Sequence, residues 1–249
     1  MYICRMASAI ILICLSGIAS AQTQTTHVFG DTSRQSTAHA PEATPQPSKG
    51  EWGFDFLMST DGFGVGGFYR RELTPDIAGF VSLSVSESKD PREIDQIDPF
   101  TGVTYTPGKL NRFLVFPLMT GIQYRLFRED ITDSFRPYVN VGIGPSMIYV
   151  MPYADVSRDT SGALQVNQVD FFAAIGRGHP RFTGGGYVGV GANFGPETGS
   201  VMGFNIRYYF MYLLSGSIPS LFNTTDGSLV STKRDFGGFF ITLNIGFGG

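Results

Sequence analysis

Few residues in this chain have the type or spacing for covalent or metal chemistry. Its 249 residues include two cysteines and three histidines. Cys4 and Cys14 sit in an apolar N-terminal stretch, and His27 and His39 in a polar segment behind it. That leaves His179, alone in the string IGRGHPRF from Ile175 to Phe182. A general base needs a nucleophile within hydrogen-bond reach, and no His-x-Ser arrangement accompanies His179. Scattered histidines without a nearby thiolate do not reach the ligand spacing of a zinc site. Asp155 and Asp159 flank a loop but lack the oxygen-rich pattern of a calcium loop. No catalytic residue, metal ligand or cofactor is therefore assigned.

The polar residues that do fall into a pattern alternate with apolar ones. Asp55, Gln123, Arg125, Asn140, Asn193, Asn205, Arg207 and Asn244 each share a face with small or polar neighbours, while the residues on either side are apolar. Arg70 and Glu72 belong to the same set if the ambiguous register of Phe68 to Arg71 places them there. Opposite charges are nearly balanced within the set, as a buried network that satisfies its own charges requires.

Strands must position these residues, because alternation is the signature of a strand. From Val201 to Tyr212, Met202, Phe204, Ile206, Tyr208, Phe210 and Tyr212 oppose Gly203, Asn205, Arg207, Tyr209 and Met211. Near the end, Phe239, Ile241, Leu243, Ile245 and Phe247 oppose Phe240, Thr242, Asn244 and Gly246. Earlier, Ile77, Gly79, Val81, Leu83 and Val85 oppose Ala78 and Phe80 and a row of serines. Eight strands are predicted at 52–60, 64–73, 77–87, 112–126, 137–150, 184–194, 200–212 and 237–247. Pro117 and Pro145 fall inside two of them. Each removes a ladder donor, so they are expected to kink the fourth and fifth strands and to open a lateral gap. The stretch VNQVDFFAAI (166–175) reads equally as a continuing hairpin or a short amphipathic helix.

The surroundings of these strands point to lipid. Arg5, an apolar run from Ala7 to Ile18 and Ala19-Ser20-Ala21 read as a secretory signal cleaved before Gln22. Residues 22–50, rich in Thr, Ser, Gln and Pro, read as a disordered periplasmic leader, with the barrel occupying 51–249. Eighteen basic residues less Arg5 leave 17 against 21 acidic ones, which excludes a nucleic-acid partner on charge. Beyond the signal no apolar run is long enough for a transmembrane helix, so a closed β-barrel is the structure left that satisfies its backbone in hydrocarbon. Long connections at 88–111, 151–183 and 213–236 all fall on one side, and the turns at 74–76 and 195–199 on the other. Outer-membrane barrels sort their loops in this way, the long ones facing outward.

The segments GGGYVGVGANFGPETGSVMGFNIRYYF (184–210) and GGFFITLNIGFG (237–248) resemble the closing hairpin and last strand of the outer-membrane β-barrel domain family. FRPYVNVGIGP (135–145) resembles an earlier strand. The likeness is to small eight-stranded OmpA/OmpX/OmpW-like barrels. It implies an all-β, eight-stranded antiparallel transmembrane up-and-down barrel in the bacterial outer membrane. Such barrels usually finish on an aromatic, whereas Phe247 is followed here by Gly248 and Gly249. The partners implied are outer-membrane lipid and lipopolysaccharide and the barrel assembly machinery, and a closed barrel without free edges is expected to be a monomer. Three roles fit: a structural or surface-interaction protein with outward loops, a narrow porin-like channel or lateral-diffusion port for small or hydrophobic solutes, or a lipid-modifying enzyme. The absent nucleophile–base pair argues against the last. The size of an eight-stranded lumen favours a filled interior over a polar path opened by Gly121, Gly142, Gly144, Gly189, Gly191 and Gly203.

Overall fold

The computed structural model describes residues 50–248 apart from 101, 103, 130, 132–133 and 196–198. The expected signal and, save Gly50, the expected leader lie outside the described residues. Along the chain run β1 Gly50–Ser59, β2 Gly62–Glu72, β3 Ile77–Ser88, β4 Gln96–Ile97, β5 Thr104–Tyr105, β6 Asn111–Arg125 and β7 Phe135–Pro152. There follow β8 Ala154–Arg158, β9 Leu164–Gln168, helix α1 Phe171–Arg177, β10 His179–Phe194, β11 Gly199–Met211, β12 Ile218–Phe222, β13 Leu229–Lys233 and β14 Gly238–Gly248.

Eight of these strands close into an antiparallel up-and-down barrel in the order β1-β14-β11-β10-β7-β6-β3-β2. Closure pairs Trp52 with Phe247 and Asp55 with Asn244, so the wall has no free edge there. The six short strands form three separate hairpins, β4–β5, β8–β9 and β12–β13, one in each long loop. All eight predicted wall strands are present. The largest difference is at β10, which starts at His179, five residues before the predicted 184, because His179–Thr183 pair with Ser146–Val150 across the hairpin. The polar, Pro-containing composition of that stretch hides a pairing that only the partner strand reveals.

Alternation sorts the side chains as the sequence pattern predicts. On β11, Met202, Phe204, Ile206 and Phe210 face out, while Gly203, Asn205, Arg207, Tyr209 and Met211 are buried. On β3 the inward row is Ala78, Phe80, Ser82, Ser84, Ser86 and Ser88. The outer wall is an apolar band that includes Val81, Leu83, Ile122, Val141, Ile143, Val188 and Leu243, all exposed. Aromatic pairs mark its two ends. At the turn end Trp52 meets Phe247 at 5.1 Å and Phe135 meets Phe194 at 5.3 Å. At the loop end Tyr208 lies 4.7 Å from Phe210 and 4.6 Å from Phe239. On β10 the outward Phe182 and Phe194 stand twelve residues apart. At about 3.3 Å per residue and a tilt of about 40°, that is about 30 Å, a bilayer's hydrocarbon thickness.

The ladder is interrupted on both flanks of β6 beside Pro117. Against β3 the pairing skips Ser84 and Val85, with the same register on both sides, from Leu83↔Leu118 to Ser86↔Val115. On β7, Pro145 itself pairs with Gly184. The β6–β7 pairing skips two residues there and resumes in register from Pro117↔Ser146 to Thr120↔Ile143. At the skip Gly144 is pressed against the Leu118 carbonyl, which lies 2.0 Å from where a Cβ would stand. Glycine at 144 lets the two backbones touch across the interruption.

Candidate functional site

The lumen is layered, and each layer is set by the inward row of its strands. Nearest the turn end is the polar layer. Arg207 of β11 donates from Nη1 to Asp55 of β1 at 3.0 Å, and Asn244 of β14 donates to the other Asp55 oxygen. The Arg207 guanidinium lies 5.2 Å from the Tyr187 ring centroid. Arg70 resolves the β2 ambiguity by pointing inward, donating to Glu51 and, at 2.9 Å, to Gln123. Glu72 shares that face but sits exposed at the mouth, where it lines a hollow of about 100 Å³ with Arg125, Asn193 and Tyr138. Asn140 on β7 and Asn205 on β11 are buried on either side of β10, both within reach of the space beside Gly189. The structure thus brings together Arg70, Gln123, Asn140, Arg207 and Asn244 around a hollow of about 20 Å³, with Asp55 bonded to the last two. That is about the space of one water molecule.

Above this layer four rings cross the lumen. Phe80 of β3 lies 6.0 Å from Tyr187 of β10, Tyr187 4.9 Å from Tyr209 of β11, and Tyr209 5.2 Å from Phe240 of β14. The inward glycines make room for side chains, not for solvent. A Cβ on Gly142 would stand 2.6 Å from the Tyr187 ring, one on Gly191 2.9 Å from Tyr138, and one on Gly121 2.7 Å from Phe80. At these three positions the space expected to be open holds an aromatic ring. Towards the loop end the filling becomes apolar: Leu57, Val115, Met119, Ile148, Val150, Met211 and Leu213, with Phe113 edge-on to Phe236 at 5.4 Å.

Over this plug the first and third long loops are knitted together. Leu110 donates its amide to Ser220, and Phe222 donates its own to Gly108, each at 2.8 Å. Gly108 has φ +70, and the Phe222 carbonyl lies 2.2 Å from where its Cβ would be, so only glycine fits. Asp90 is the centre of the crown. One carboxylate oxygen accepts from the hydroxyls of Ser220 at 2.6 Å and Ser231 at 2.7 Å. Burial pushes the Asp90 pKa up, but those hydroxyls, the Arg92 amide and the charge of Lys233 outweigh it and hold the group below its ordinary value. Lys109 and Glu93 form a second buried pair at 2.6 Å. Beside Asp90, above the short β1–β2 turn, a notch of about 370 Å³ opens between Asp61, Glu87, Arg92, Lys233 and Phe236.

The residues weighed for chemistry serve the loops. Asp155 accepts two bonds from Arg177, at 2.7 and 2.6 Å, which lower its pKa. Asp159 closes its turn through Ser161 and the Ala163 amide, and is lowered likewise. His179 is exposed at the start of β10, opposite Val150. The crown's own residues, Asp90, Glu93, Lys109, Ser220, Ser231 and Lys233, carry no local signal, because Asp90 meets its partners 130 and 141 positions away.

The chain has the architecture of a closed eight-stranded antiparallel up-and-down barrel. No family model matches it, and no curated protein does. Among solved structures it is similar to the N-terminal β-barrel domain of Pseudomonas aeruginosa OprF, at 13% identity and a TM-score of 0.40, over 82% of this chain and 98% of that one. Neisserial surface protein A matches at 12% and 0.41, over 80% and 94%. Ail, the attachment invasion locus protein of Yersinia pestis, matches at 12% and 0.37, over 81% and 97%.

Proposed function

We propose that this protein is a surface component of the bacterial outer membrane, its filled barrel serving as an anchor and its knitted loop crown as the outward binding face. The observation that carries this reading is the arrangement of the wall: an apolar band about one bilayer thick, ended by aromatic pairs, around a lumen closed by its own side chains. A channel needs an open lumen, and a soluble barrel has no use for such a band. Turns at 60–61 and 73–76 lie at opposite ends, and the three long loops share the end of the former. In this reading that end faces outward.

Two measurements test it. Folded protein in detergent should resist SDS until boiled and then shift on a gel. A membrane-impermeant maleimide applied to intact cells should label Thr160→Cys, at the tip of the β8–β9 hairpin, and spare Thr74→Cys in the opposite turn. Labelling of Thr74→Cys alone would reverse the orientation, and absence of a heat shift would remove the membrane reading.

A further inference from the structure

The second long loop divides. Its β8–β9 hairpin is bonded to the third loop, Arg158 donating to the Asp226 carbonyl at 2.7 Å, but α1 lies against the outer side of the wall. Met151 belongs to the outward row of β7, yet it is fully buried, packed with Ala174 and Val169 and flanked by Leu114 and Tyr149. The Tyr149 hydroxyl donates to the Ile175 carbonyl at 2.6 Å. At the other end Arg112 lies over the rings of Tyr153 at 4.7 Å and Phe171 at 5.7 Å. Asp170 caps the first turn by accepting from the Phe172 and Ala173 amides, and Arg177 is tied to Asp155.

A seven-residue helix does not hold its shape alone. Here five separate contacts fix it, and what they present to the outside is apolar: Phe172 is 80% exposed, Phe171 42% and Ile175 40%. One strand over, the outward Phe182 is 69% exposed at the top of the wall's apolar band. From Phe171 to Phe182 the sequence contains Arg177, which is paired with Asp155, and then His179 and Arg181. Apolar groups beside cations suit the boundary between acyl chains and anionic headgroups.

We propose that α1 is a foot set on the outer leaflet, with Phe171, Phe172 and Ile175 inserted at the headgroup–acyl boundary. This rests on the membrane-spanning reading. The occupant is lipid because the exposed face continues the lipid-facing band upward through Tyr149 and Phe182. β7 stands four strands from β1 either way round the barrel, so the foot lies opposite the notch above the β1–β2 turn. The wall is tall and lipid-supported on one side and low and open on the other, which fixes the direction in which the notch faces.

The test places one polarity-sensitive fluorophore at a time on full-length protein with Cys4 and Cys14 changed to serine, reconstituted in phospholipid vesicles. Sites are Phe172→Cys on the foot, Phe204→Cys in the band and Thr160→Cys at the tip of the β8–β9 hairpin, each verified as heat-modifiable. Lipids carrying a quencher near the headgroup should quench the label at 172 several-fold more than the label at 160. A label at 172 quenched no more than that at 160, with 204 strongly quenched, would overturn the foot and leave the membrane reading standing. Equal, weak quenching at all three sites would overturn both. Ile175→Cys, one turn on, repeats the measurement should the first variant not fold.

Discussion

Asp55 is the residue on which the polar lumen turns. It is 2% exposed, paired with Arg207, and also accepts from Asn244. Two charges taken out of water together are tolerable; one left behind is not. Asp55→Asn should therefore lower stability by about 3–5 kcal/mol, read as a reduced urea midpoint for loss of the heat-resistant form. The double change Asp55→Asn with Arg207→Met should recover much of that loss, since no lone charge remains. Equal loss in both variants would show that shape, not charge, governs the layer. Gly142→Ala should cost about 1–3 kcal/mol, because its Cβ would meet the Tyr187 ring at 2.6 Å. Most of this layer was legible in sequence: Asp55, Asn205, Arg207 and Asn244 stand in strict alternation with exposed apolar residues. Glu51 was not, because it lies at the first turn of alternation, where one residue of register decides its face. Tyr187 was not either, since a tyrosine among glycines looks as much like a lipid-facing aromatic as an inward ring.

At the scale of elements the crown follows a different rule. The wall strands are specified locally by period two, but β12–β13 acquires its place from Lys109↔Leu221 pairing and from Asp90, contacts across more than a hundred residues. No window of sequence holds that information. The stretch 166–175 shows the same limit: it ends one strand and, after the Asp170 cap, begins α1, so both readings of it are half right. The crown's dependence on Asp90 has a definite sign. A carboxyl held below its ordinary value in the folded state contributes stability that is present above that value, about pH 3.9 for Asp, and lost as pH falls through the lower folded value. Proteolysis of the crown by an acid-active protease should accelerate below about pH 4 while the heat-resistant barrel persists. Ser220→Ala with Ser231→Ala should raise the Asp90 pKa, speed crown proteolysis already at neutral pH and flatten its acceleration in acid. An acid acceleration unchanged in the double variant would place the acid-sensitive group elsewhere.

For the whole molecule the question is whether the barrel conducts. Four rings linked by centroid distances of 4.9–6.0 Å join β3, β10, β11 and β14 across the lumen, and the interior of an eight-stranded barrel offers little room beyond them. Above the rings the apolar plug from Phe113 to Phe236 would have to be wetted for an ion to pass, and the crown's bonds between Asp90 and Ser220 hold a lid over it. A hydrated ion would thus need three independent layers displaced at once. Heat-shift-verified protein in a planar bilayer should show no discrete conductance steps, and neither should the Asp90→Asn variant, whose crown is loosened over an intact plug. Steps in Asp90→Asn alone would make the crown the gate and the plug a mobile part of it. Steps in the unaltered protein would mean that the ring layer and plug move aside in a bilayer, and that transport, not the surface role, is what the barrel is built for.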